Sequence, residues 1–198
     1  KRSHEENIKK RYPGALLLDV TSTSQCNSTR LLSPFYPHRN IPIPFTVNMK
    51  ATCVEAVWQG LKVFKDCDVD VKTFSNDTMK NIKRTSRKYG KPLGHRKGVY
   101  GKELLNYEDA RKLIYLPTYK WMLDNVPAVR TLLERITEYS KKSDIVFLDY
   151  NTNTDVNNFK QPLSHAGLLK LYIEGKYPSC AKDTDDSHDG DGQLSFNF

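Results

Sequence analysis

The chain has 198 residues, 38% hydrophobic and 27% charged, with a net charge of +8. That size suits one domain, able to bury roughly 70% of its unfolded surface. The composition excludes a disordered chain, and there is no apolar run of the ~18 residues that a transmembrane helix needs. The charge is uneven. Of the 23 acids, five (Asp183, Asp185, Asp186, Asp189 and Asp191) follow Lys182, leaving 18 against all 31 Lys and Arg. A body that basic favours anionic partners such as phosphates, nucleotides or nucleic acid, although a solvated basic surface accounts for the charge equally well.

The opening residues, KRSHEENIKKRYPG, form a polar lead-in with a short helix over 1–12 and no apolar core of a secretion signal. The four cysteines (Cys26, Cys53, Cys67 and Cys180) fit no zinc or C-x-x-C spacing. These features point to a reduced, cytoplasmic setting. ALLLDV (15–20) reads as a strand ending in a turn-rich segment. SPFYPHRNIPIPF (33–45) holds four prolines and reads as a stiff extended loop. Val54, Val57, Trp58 and Leu61 recur at helical spacing, predicting a helix over 52–64. NDTMKNIKRTSRKY (76–89) predicts a basic helix, and 90–101 a glycine-rich basic loop. A long helix over 103–125 is expected to kink or split at Pro117. A helix over 128–141, a strand over 144–150, a loop over 151–162 and a helix over 164–176 follow. Residues 179–198 read as an acidic flexible tail.

Within the 52–64 helix, Glu55, Gln59 and Lys62 stand at i, i+4 and i+7, so a carboxylate, an amide and an ammonium share one helix face. Such a row is either a solvent-facing polar edge or a site. No G-x-S-x-G elbow, P-loop or dinucleotide fingerprint is present, which argues against hydride and phosphoryl transfer. The spaced acids of DTDDSHDGDG lack the closing Glu of a calcium loop. No metal site and no cofactor is expected.

SPFYP followed by VEAVWQGLKVF resembles the opening motifs of the NADAR (YbiA-like) family, in which an acid begins a helix written roughly E-x-x-x-Q-x-x-K-F. Glu55, Gln59 and Lys62 match that pattern without a gap. RTSRKYGKPL, LPTYKWMLDN, IVFLDYNTNTD and SHAGLLKLY are similar to later family segments, in the same order over residues 15–177. The chain departs by having Ala56 after the helix acid, where the family commonly has His. It also has Asn158-Phe159 in place of Trp-Gly.

The resemblance implies an α+β fold, mainly helical, as a single compact NADAR-like domain with a few short strands. It would have a polar lead-in over 1–14, a catalytic domain over 15–178 and the tail over 179–198. It also implies an N-glycosidase that cleaves the bond between (ADP-)ribose phosphate and a nucleobase or aminopyrimidine. Its oxocarbenium-like transition state would be stabilised by carboxylates. Glu55 is the expected first carboxylate and Asp155 the second, with Asp149 as the alternative, and Lys62 orients Glu55 or meets a phosphate. Phe35, Tyr36 and Trp58 are candidates to stack on a base, Trp58 being open to simple core packing as well. His38, Arg39, Gln59, Arg87, Asp149 and Asn158 complete the expected substrate contacts. Arg84, Lys91, His95 and Arg96 are further phosphate candidates. The expected partner is a phosphorylated ribosyl base or an ADP-ribosylated nucleic acid, with no membrane. A module that binds ADP-ribose, NAD or DNA without turnover is the competing reading. The closing peptide QLSFNF (Gln193–Phe198) resembles a sliding-clamp docking motif.

Overall fold

The structure, a computed structural model, describes residues 5–178. The acidic tail and its proposed docking peptide therefore lie outside the described residues. Helix α1 (Glu5–Arg11) buries none of its residues, as its composition demands. Strand β1 (Leu16–Asp19) follows, then a single helical turn α2 (Asn27–Arg30). The proline-rich loop carries β2 (Ile41–Pro42), which pairs antiparallel with β3 (Lys50–Ala51).

Helix α3 spans Val54–Gly60, shorter than its periodicity predicts. Cys53 begins it, its sulfur accepting the Ala56 N–H, and at Lys62 the chain turns into strand β4 (Lys62–Val63). Gly60 closes the helix against the next one, α4 (Val71–Phe74), whose Phe74 ring lies where a Cβ would stand.

The basic helix predicted over 76–89 is reduced to α5 (Ser86–Tyr89). Asn76 instead folds its side chain onto Thr78, accepting from both its N–H and its hydroxyl, while Met79 and Asn81 adopt left-handed φ of 59° and 58°. An Asx turn of this kind competes directly with helix. The glycine-rich segment is not all loop. It forms β5 (Gly94–Arg96), the centre of a three-stranded antiparallel sheet between β4 and β6 (Leu104–Leu105).

The long helix predicted over 103–125 begins later, as α6 (Tyr107–Ala110). It widens into a π turn over Arg111–Tyr115 and continues as α7 (Leu116–Asn125). Pro117 sits in the first turn of α7, two residues after the wide turn ends at Tyr115. Helix α8 (Pro127–Ser140) packs on α7.

Strand β7 (Ile145–Leu148) then returns to pair in parallel with β1, in register Leu16 to Ile145 through Asp19 to Leu148. The last described helix is α9 (His165–Ile173). The fold is thus α+β, with helices and few short strands around one core that includes Val57, Leu61, Ile114, Tyr119, Met122 and Leu168. Among the described residues no helix is long and apolar enough to cross a membrane.

The parallel pair positions the site. Both strands end at the same edge, so the chain leaving β1 (residues 20–24) and the chain leaving β7 (residues 149–162) emerge together. The carboxyl edge of parallel strands is where open α/β sheets hold ligands.

Candidate active site

A cavity of about 790 Å³ opens at that edge, lined by residues of α3, the π turn, the 79–85 segment and the loops after β1 and β7. Glu55, Trp58 and Gln59 of α3 line it together with Lys62, which the early end of the helix puts in β4 and not on the shared helix face expected of it; the polar row is a cavity wall and not a solvent-facing edge. Glu55 is 7% exposed. Its backbone N–H donates to the Pro34 carbonyl at 2.9 Å, which seats the SPF segment against the first turn of α3.

The row is a relay of hydrogen bonds. Lys62 Nζ donates to Gln59 Oε1 at 2.8 Å, and Gln59 Nε2 donates to Glu55 Oε1 at 2.8 Å. The Arg84 backbone N–H also donates to Gln59 Oε1, at 2.9 Å. Two donors on the oxygen fix the amide orientation and aim its nitrogen at the carboxylate. Burial raises the Glu55 pKa, only partly opposed by the Gln59 bond and by the charges of Lys83, Lys62 and His165. Burial likewise lowers the Lys62 pKa, opposed by Glu55 and reinforced by Arg84 and Lys83.

A second carboxylate faces the same cavity. It is Asp149, whose side chain is 6% exposed. Asp149 Oδ2 accepts from Ser164 Oγ at 2.8 Å and lies 3.1 Å from His165 Nδ1; Oδ1 accepts from the Tyr150 N–H at 2.6 Å. Burial alone would raise its pKa. The His165 hydrogen bond and charge, with Ser164 and Tyr150, outweigh that and bring it down to about 2. Ser164, Asp149 and His165 do not form a nucleophilic triad. The hydroxyl donates to the carboxylate, and His165 Nε2 is 2.8 Å from the Val20 carbonyl, not from the serine.

Asp155, the other candidate, is exposed and does not line the cavity; its Oδ1 accepts the Asn157 N–H within its own loop. Asn158 is also a loop organiser. Its carbonyl accepts from Arg111 Nη1 at 2.9 Å, and its side chain accepts the Lys160 N–H. Arg111, 2% exposed, bonds three backbone carbonyls of the 156–161 segment and the Tyr107 hydroxyl. It holds the loop after β7 onto the π turn, and its guanidinium sits 4.8 Å from the Tyr107 ring and 5.1 Å from the Phe159 ring.

Trp58 is half-buried on the wall, its ring 3.8 Å from that of His95 and tilted 32° to it, with Tyr107 and Tyr115 packed edge-to-face beside it. Both His95 ring nitrogens lack a hydrogen-bond partner among the described residues. Burial, with Lys62 and Arg84 nearby, lowers the His95 pKa to about 3, so it backs Trp58 as a neutral plate. His95 is not a phosphate ligand on this geometry. Phe35 lines the cavity with the Lys83 ammonium 5.2 Å from its ring.

Tyr36, His38, Arg39 and Arg87 do not line it. His38 Nε2 bonds the Leu31 carbonyl at 2.8 Å, Arg39 reaches Asp77, and Arg87 is exposed on α5. Arg84 spends its guanidinium on the carbonyls of Gln59, Lys62 and Asp68, Arg96 is paired with Asp68, and Lys91 is exposed away from the cavity. Sequence reading missed Lys83, Arg111, Tyr115, Ser164 and His165. Only the position of Ser164-His165 at the start of a helix gave a hint, since Ser164 accepts the Gly167 N–H as its cap.

No curated protein and no solved structure matches the chain. A family model described as "Family of unknown function (DUF6939)" matches residues 1–169, and the chain belongs to that family.

Proposed function

We propose that the cavity hydrolyses an N-glycosidic bond between a phosphorylated ribose, or ADP-ribose, and a base or aminopyrimidine. One observation carries the reading. Two buried carboxylates line one cavity with their pKa values pushed in opposite directions, Glu55 up and Asp149 down. Environments that split a carboxylate pair in this way assign an acid and a permanent anion. The motif order shared with NADAR proteins supports the same chemistry.

In this mechanism Glu55, as the carboxylic acid, gives its proton to the departing nitrogen while the bond from the anomeric carbon breaks. Asp149 stays ionised and stabilises the positive charge on the sugar. Water adds to the anomeric carbon, and its surplus proton returns to Glu55. Lys62 and Lys83 supply positive charge for a phosphate, and Trp58 and Phe35 supply faces for a base.

The test is to incubate the protein with ribosylamino-pyrimidine phosphate and with ADP-ribosylated DNA and to measure free sugar. Release by the wild type, lost in Glu55→Gln with ligand binding retained, supports the enzyme. Binding of ADP-ribose without release from any substrate supports the module that only binds.

A further inference from the structure

A surface formed by residues that do not line the cavity has its own construction. The segments 43–50 and 97–102 are sewn into one ridge. The Val99 N–H donates to Thr46 Oγ1 at 2.9 Å, and the Tyr100 hydroxyl reaches Met49 Sδ at 3.4 Å. Gly98, at φ 83°, lies so close that a Cβ there would stand 2.3 Å from the Phe45 carbonyl oxygen. Phe45 and Asn48 are themselves held at left-handed φ of 57° and 60°. Non-glycine residues adopt that conformation at a cost, and it persists only where the surroundings impose it.

This strained, braced backbone presents apolar side chains to water. Phe45 is 44% exposed, Val47 81% and Tyr100 82%. Folding alone gives no reason to spend two aromatic rings outside. Cations stand among them. The Lys97 ammonium lies 5.3 Å from the Phe45 ring, and Lys50 and Lys102 are exposed on the same two segments. The one acid on these segments' borders is Glu103, which pairs with Lys97 at 3.1 Å. That pair is open to solvent on both sides, so it is weak and exchangeable for a phosphate. None of these residues lines the cavity.

We propose that this ridge binds single-stranded nucleic acid, with Phe45 and Tyr100 stacking on bases and Lys50, Lys97 and Lys102 meeting phosphates. Exposed rings interleaved with ammonium groups match a polyanion whose repeat offers a flat face beside each charge. The excess of 31 bases over 18 acids up to Lys182 adds long-range attraction for the same partner. The proposal does not depend on the glycosidase reading, because the ridge can bind a strand whatever the cavity does.

The experiment is fluorescence anisotropy of the full chain with fluorescein-labelled oligo-dT and oligo-U of about 20 nucleotides, longer than the ~4–16-nucleotide sites of single-strand binders. Binding should weaken as salt rises. Phe45→Ala and Tyr100→Ala should each lower affinity by roughly five- to a hundredfold, the range of one lost base stack. Lys97→Ala should reduce the log–log salt slope by about 0.7. Lys141→Ala, which removes an equal charge from the end of α8, should leave the affinity near that of the wild type. The two oligonucleotides separate DNA from RNA preference. The proposal fails if the wild type binds neither at low salt, or if the Phe45→Ala/Tyr100→Ala double variant binds like the wild type. It also fails if Lys141→Ala weakens binding as much as Lys97→Ala. Tyr100→Ala alone keeps the test valid should Phe45→Ala disturb the strained loop.

Discussion

Gln59 holds Glu55 in place. Its amide nitrogen donates to Glu55 Oε1 at 2.8 Å, while its oxygen is claimed by Lys62 Nζ and the Arg84 N–H. One side chain therefore satisfies three groups in a nearly dry wall. Gln59→Leu keeps the approximate volume and removes all three bonds. It should destabilise the fold by about 1–3 kcal/mol, the cost of leaving buried polar groups unpaired. Urea unfolding measures this. The same substitution should move the Glu55 pKa further up, because the favourable hydrogen bond is lost. Carboxyl-labelled NMR titration reads that shift.

The two carboxylates predict opposite pH dependences of stability. Asp149 is lowered from 3.8 to about 2, so its contribution is present above pH 3.8 and disappears as the pH falls through about 2. The size is on the order of 2 kcal/mol. Glu55 is raised above 4.5, so its contribution is present below that pH and is lost as the pH rises through the folded-state value. Asp149→Asn should flatten the acid limb of a stability–pH curve. Glu55→Gln should gain on the wild type as the pH rises from 4 towards 8. Denaturant midpoints from pH 2 to pH 8 decide both.

If Glu55 is the proton donor, activity follows its acid form. The rate of sugar release should then fall as the pH rises through the Glu55 pKa. Glu55→Gln should cost roughly 10²–10⁴-fold in turnover, the usual worth of a positioned acid. Asp155→Asn, on an exposed loop residue, should leave turnover close to that of the wild type. A loss at Asp155 comparable to that at Glu55 would contradict the choice of Asp149 as the second carboxylate.

Parts of this site were legible before folding, and the reasons are local. The i, i+4 spacing placed Glu55 and Gln59 on one helix face as neighbours, whereas Lys62, expected on that face, stands in β4 and reaches Gln59 from there. The apolar runs at 15–20 and 144–150 marked β1 and β7 to within two residues. Their parallel pairing was not legible, because no local pattern links Leu16 to Ile145. That pairing brings the start of the loop after β7 to the cavity. Asp149 follows directly on β7 and turns into the cavity, whereas Asp155 is six residues along a loop that Arg111 straps down by its backbone. The helix expected over 76–89 failed for a different reason. Its polar residues offer no continuous apolar stripe, and the Asn76–Thr78 turn takes the backbone first.

Arg111 gives a prediction about that strap. It is a buried cation whose four hydrogen bonds go to three carbonyls and a tyrosine hydroxyl, and among the described residues no carboxylate lies within 4.0 Å of it. Its charge is solvated by the loop itself. Arg111→Met keeps the apolar stem and removes the bonds, leaving the Val156 carbonyl to find water and those of Asn158 and Gln161 with the Asn153 amide alone. The loop should then open, so proteolytic cleavage within 151–162 and amide exchange there should both accelerate, with a global loss of roughly 1–3 kcal/mol. Arg111→Lys should rescue little, since one ammonium cannot span the acceptors that a planar guanidinium reaches. Limited proteolysis with mass spectrometry, run on both variants, reads the result. Unchanged cleavage in Arg111→Met would mean that Asn153, whose side-chain amide lies 3.3 Å from the same Asn158 and Gln161 carbonyls, holds the loop without help.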